Sequence, residues 1–161
     1  MVFSAIVFSL VLVESASAQA NATQNLTLAV NTVYKIATSG NPGALTITTG
    51  TAGTDALTSV SDNSTTYSIT QNFANTVKIT ANLDAALSSG YTLDINLAST
   101  KGTSAGAVDI SNATSGSAVN VVTAIHEGAD AAQTIGYTFS ALASAGTLSS
   151  TSKTVTLTLT N

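Results

Sequence analysis

Lys153-Thr-Val-Thr-Leu-Thr-Leu-Thr-Asn161 alternates without a break, with Val155, Leu157 and Leu159 on one side and Thr154, Thr156, Thr158 and Thr160 on the other. A period of two with one apolar face predicts a half-buried β-strand. Such a face needs a second sheet to cover it, and Thr134-Ile-Gly-Tyr-Thr-Phe-Ser-Ala141 repeats the pattern. This pair is expected at the centre of a sandwich.

Working back along the chain, the same alternation predicts a long strand over Asn25 to Ile36 and short ones at Leu45/Ile47 and Val108/Ile110. It also predicts strands over 91–97 and 119–125. Thr66 to Thr70 and Thr76 to Leu83 flank Gln71-Asn-Phe-Ala-Asn75, which reads as a hairpin. Gly40-Asn-Pro-Gly43 holds the only proline and is a turn. Ala56 to Asp62 is either a short strand or irregular chain, Asp84 to Gly90 tolerates one helical turn, and His126 to Ala132 reads as a long connection. No stretch sustains helical spacing. The expected fold is all-β: a single antiparallel β-sandwich, immunoglobulin-like or fimbrial-like, of about seven to nine strands. The similarity of Tyr67-Ser-Ile-Thr to Tyr137-Thr-Phe-Ser is what any two alternating Thr-rich strands would give.

Composition narrows the function. The 161 residues are 44% hydrophobic, enough for one core, but only 7% charged, so the polar surface is built from Thr, Ser and Asn. A net charge of −4, with four Lys and no Arg, leaves little to hold phosphates, and nucleic acid is excluded as an expected partner. The absence of Cys removes disulfides and thiol chemistry. Residues 1–18 carry an apolar run from Val2 to Val13 and then Ala16-Ser17-Ala18, the pattern of a secretory signal peptide with its cleavage site, although no basic residues precede the run. The expected organisation is therefore leader 1–18, polar spacer 19–24 and sandwich domain 25–161, in a secreted or cell-surface protein.

A search for chemistry finds no reaction centre. His126 is the only histidine and sits beside Glu127 and Asp130 in a small-residue turn, without a nucleophile motif or metal-ligand spacing. Asp55, Asp62, Asp84, Asp94, Asp109, Glu127 and Asp130 are scattered and read as solvated turn residues; a calcium loop using Asp55 and Asp62 lacks the signature of spaced ligands. No enzymatic activity and no cofactor are expected. A carbohydrate-binding or adhesin-type module is the alternative reading. Trp is absent, however, and Tyr34, Tyr67, Tyr91 and Tyr137 share parity with aliphatic neighbours, which places them in the core. That leaves Phe73 as the exposed aromatic candidate. Sequons begin at Asn21, Asn25, Asn63 and Asn112.

Edge strands in monomeric sandwiches are usually blunted by Lys, Pro or inward charges, and here such residues are few. Together with the leader, the Val77-Lys-Ile-Thr-Ala-Asn-Leu-Asp block, the Ile135-Gly-Tyr-Thr-Phe-Ser-Ala block and the terminal strand, this resembles the secreted β-sandwich subunits of bacterial surface fibres and coats, of the spore-coat-U-like or fimbrial type. The resemblance implies a non-catalytic subunit of an extracellular fibre, coat or matrix that self-associates by β-strand addition, with contact to cell-surface glycan or matrix as a further expectation. The matching donor segment is Asn21 to Val30, with Leu26, Leu28 and Val30 as its apolar face; with a retained leader, Val2 to Val13 would be the alternative donor. The disulfide common in such families has no counterpart in this chain.

Overall fold

The computed structural model describes residues 20–161; the leader and its cleavage site, and Val2 to Val13 as a donor, lie outside them. The chain divides into two units, residues 1–30 and 31–161. The second unit holds nine strands: β1 Tyr34–Thr38, β2 Val60–Gln71, β3 Val77–Leu83, β4 Tyr91–Leu97, β5 Thr103–Ser104, β6 Val108–Asp109, β7 Val119–Ile125, β8 Gly128–Ala141 and β9 Val155–Thr160. They form two antiparallel sheets, ordered β1-β2-β8-β4-β6 and β5-β7-β3-β9. The fold is all-β and sandwich-like, and one core lies between the sheets. The alternating residues supply most of that core: Ile79, Ala81 and Leu83 from β3 and Ile95 and Leu97 from β4 are buried with Thr, Asn or Asp between them, while β7 breaks the alternation by burying the adjacent Val121 and Val122 as well as Ile125.

Several expectations are corrected. The long strand over Asn25 to Ile36 is absent; pairing begins only at Tyr34, where β1 finds β2 as a neighbour. Leu45 and Ile47 are half-buried but lie in no strand, and Asp84 to Gly90 makes no helical turn. The one helical element among the described residues is a 3-10 turn at Ala143–Ala145. β2 and β3 are not a hairpin, because β2 pairs with β1 and β8 while β3 pairs with β7 and β9. Gln71 fixes this crossing between sheets: its buried amide donates to Ile125 O at 3.3 Å and accepts from Phe73 N at 2.7 Å. The expected connection at 126–132 shrinks to His126 and Glu127, again a crossing, since β7 and β8 belong to different sheets. β8 is indeed central, but β9 is the edge of the smaller sheet, not the middle of the sandwich.

Thr65 sits on β2 among core residues, and its Oγ1 is the buried side-chain polar atom without a hydrogen-bond partner among the described residues. Burying an unpaired hydroxyl costs free energy that an isosteric methyl does not. Thr65→Val is expected to raise stability by about 1 kcal/mol, measured by urea unfolding at unchanged slope.

Candidate functional site

Each sheet has two edges, and the sequence guards them unequally. β5 and β6 are two residues long, and brevity alone makes them poor templates. β1 has five residues and carries the exposed Lys35. β9 has six, Val-Thr-Leu-Thr-Leu-Thr, with neither charge nor proline. It is the longest edge among the described residues and has no blunting side chain, although β1 of the other sheet runs close beside it.

Its register decides which groups it offers. β9 pairs antiparallel with β3, Leu159 opposite Ile79 and Leu157 opposite Ala81, and Asp84 N donates to Thr154 O at 3.0 Å in the same register. In such a ladder, residues whose amides face one neighbour alternate with residues whose amides face away. Thr154, Thr156, Thr158 and Thr160 thus bond β3. The N–H and C=O groups of Val155, Leu157 and Leu159 point out of the sheet edge, while their half-buried side chains pack on the core. An added strand would meet bonding groups and an apolar surface at the same three residues.

Leu26, Leu28 and Val30 belong to the other unit, in a segment without secondary structure, and are 80%, 82% and 88% exposed. Three large apolar side chains at alternate positions stand in water. The sequence places the small residues Thr27 and Ala29 between them, where β9 has Thr throughout.

The residues weighed for catalysis or ligands are dispersed. His126 and Glu127 are exposed. Asp130 is not solvated: it is 3% exposed and accepts hydrogen bonds from Ser99 Oγ (2.9 Å), Thr100 N (2.8 Å), Thr100 Oγ1 (2.7 Å) and Lys101 N (3.2 Å). Burial pushes its pKa up, but these four bonds outweigh burial and hold the carboxyl below its ordinary value. Its role is to tie the loop after β4 to β8. Asp55 likewise clamps Ser144, through the backbone N at 2.8 Å and Oγ at 2.7 Å, and Asp62 binds Ser64 and the Gly43 amide. The two residues considered for calcium therefore serve separate turns. Among the described residues no group of three His, Cys, Asp or Glu side chains is placed to hold a metal ion.

Three of the four tyrosines are core residues, and two of them bond backbone at its margin: Tyr67 Oη donates to Ala98 O and Tyr91 Oη to Ala145 O at 3.1 Å. Burial pushes the Tyr67 phenol up to about 12, so it stays a donor throughout the physiological range. Tyr34 is the exception, at 36% exposure. Phe73 is not an exposed platform; it is half-buried against the core, its ring tilted on Tyr34 at 5.8 Å between centroids. Phe73 does lie between strands, but the connection crosses between sheets and folds it inward, where a hairpin turn would have exposed it.

No family model matches this chain, and neither does any curated protein or solved structure.

Proposed function

We propose that this protein is a non-catalytic structural subunit of an extracellular fibre, coat or matrix, with the fimbrial-type form of the sandwich, assembling when the Leu26-Thr-Leu-Ala-Val30 segment of one copy adds to the β9 edge of the next. The observation that carries this reading is the pairing of two incomplete features. One is an exposed apolar strip with no secondary structure, and the other is a chargeless edge whose outward amides coincide with its apolar side chains. Antiparallel addition with Leu26 opposite Leu159, Leu28 opposite Leu157 and Val30 opposite Val155 puts apolar on apolar and sends Thr27 and Ala29 outward with Thr158 and Thr156. Burying three such side chains is worth about 1.5–3 kcal/mol each, before the cost of ordering the strand. The contact is head-to-tail, so it propagates instead of closing.

The test is negative-stain microscopy and sedimentation of the full chain beside Leu28→Asp. Filaments or large assemblies are expected from the unmutated protein and monomers from the variant, because a carboxylate would be buried unpaired at the middle of the new strand. The chain contains no Cys, so mixing Thr27→Cys with Thr158→Cys gives an unambiguous check of register by disulfide capture. Monodisperse monomers from the unmutated protein at concentrations where surface proteins polymerise would end this reading.

A further inference from the structure

The outer face of the five-stranded sheet holds a feature that assembly through β9 does not use. Two rows of residues cross it. In the first, β-pairing aligns Ser61 with Thr138, Thr138 with Asp94, and Asp94 with Asp109. In the second, Gly136 pairs with Asn96 on one side, and on the other it faces a β-bulge, where the register slips between Asp62 and Thr65 so that Asn63 and Ser64 stand against a single residue. Between the rows lies a shallow cleft of about 320 Å³, with Gly136 in its lining.

The glycine has no structural reason to be there. Its φ is not in the left-handed region, and an added Cβ would meet only Asn96 O at 3.7 Å and Asn96 Cβ at 3.9 Å, ordinary contacts. Glycine inside a central strand weakens it, and otherwise marks a bulge or a place where something approaches the backbone closely. Here the bulge is on the neighbouring strand, and what the missing side chain does is keep the cleft open. Bulges in turn re-aim side chains beside binding sites.

Several polar groups around the opening keep hydrogen-bonding capacity. The Asp94 carboxylate is half-buried and has no hydrogen-bond partner among the described residues, and its pKa is raised by burial and by the Asp109 charge across the strand pair. Asn96 uses its Oδ1 to accept from Ser104 Oγ at 3.3 Å, which leaves its Nδ2 as a donor. Asn63 is exposed with its amide unengaged among the described residues, and Ser61 Oγ and Thr138 Oγ1 share one bond of 2.9 Å. An anion would meet Asp94 and Asp109. A metal ion would find no group of three ligating side chains among the described residues: Asp62 spends both carboxylate oxygens on Ser64 and Gly43, and Asp109 spends one on Ser111 N and Oγ. An apolar ligand would desolvate the amides and carboxylate for no return. What fits an acceptor, two amide donors and two hydroxyls around an open floor is a ligand bearing several hydroxyl groups.

We propose that the cleft over Gly136, on the outer face of the five-stranded sheet, binds a neutral polyhydroxylated ligand, a sugar ring or short glycan, with Asp94 accepting from its hydroxyls and Asn63 and Asn96 donating to them. Tyr137 belongs to the lining but is a buried core residue, so no exposed ring is offered for stacking and affinity per sugar ring is expected in the millimolar range. The site is independent of the assembly reading and stands or falls separately from it.

Saturation-transfer difference NMR tests this, because it observes the sugar and works on monomer or polymer alike. Glucose, galactose, mannose and N-acetylglucosamine are the probes, each at about 10 mM to match weak binding. Saturable transfer is expected to at least one of them. Gly136→Val fills the cleft with a residue that strands favour, and Asp94→Asn removes the carboxylate while relieving its repulsion with Asp109, so both variants should keep the circular dichroism of the unmutated protein. Each is expected to weaken binding at least about tenfold. Absence of saturable transfer to all four sugars overturns the proposal, and so does transfer that survives either substitution in folded protein.

Discussion

Asp130→Ala is expected to lower folding stability by about 3 kcal/mol, a large fraction of what a domain of this size has to lose. The substitution removes four accepted hydrogen bonds at once, leaves the Thr100 amide without an acceptor, and leaves the Lys101 amide with only its 3.3 Å bond to Ser99 Oγ. Asp130→Asn should cost less, since one amide oxygen can still serve both backbone donors. The pH dependence carries a sign that separates this from simple loss of packing. Because the folded pKa lies below the ordinary 3.8, the carboxylate's contribution is fully present above that value and disappears as pH falls through the folded pKa. The gap in urea midpoint between Asp130→Ala and the unmutated protein should therefore be constant near neutrality and narrow below pH 3.8. A gap independent of pH down to acid unfolding would assign the loss to something other than the charge.

Gly102→Ala is expected to destabilise by about 2–3 kcal/mol, at a place that looks innocuous in sequence. A Cβ on this residue would come 2.6 Å from Ile125 Cγ1, 2.7 Å from Thr123 O and 3.0 Å from Val122 Cγ1. Side-chain atoms can turn away, but the carbonyl of Thr123 belongs to β7 and cannot, so either the loop or the strand must shift. The shift would also disturb the Gly102 amide, which donates to Ser99 Oγ at 3.0 Å, and through Ser99 the Asp130 site. Asp130→Ala and Gly102→Ala are therefore coupled: the double variant should lose less than the two single losses added together. Additive losses in thermal or urea unfolding would separate the two contacts.

Alternation made most of the strands legible: 91–97, 119–125 and the terminal strand lie where the period of two puts them. It also over-reached. Asn25 to Val30 has as clean a pattern as β9 but is no strand, because alternation specifies only what a strand could bury and pairing needs a free neighbour. Pattern does not say which sheet a strand joins either, and so two consecutive strands on opposite sheets, β2 and β3, looked like a hairpin. Asp130 was illegible for a local reason. Between Tyr67 and Ile69 the register to β8 slips, Ala132 takes a left-handed φ of 53°, and the extra residue turns Asp130 inward where strict alternation would turn it out. The cleft had one sequence signal that could have found it, Gly136 in the middle of an otherwise ideal alternating strand. Its polar groups come from three strands, and only the pairing brings them together.

From β2 onward every successive strand changes sheet: β3, β5, β7 and β9 lie in one, β4, β6 and β8 in the other. No two neighbours in sequence after the first pair can zip together as a local nucleus, and the long ladders β2–β8, β3–β7, β3–β9 and β4–β8 all join segments far apart in the chain. Chains dominated by such distant pairing fold in milliseconds to seconds, far slower than hairpin-built ones. A nascent copy thus spends a long interval with its alternating Thr-Leu-Thr segments unpaired and able to find the wrong partner. The low charge of the chain offers little repulsion to prevent it. Yield on refolding should accordingly be limited by concentration, with dilution rescuing monomer that crowding drives into aggregate.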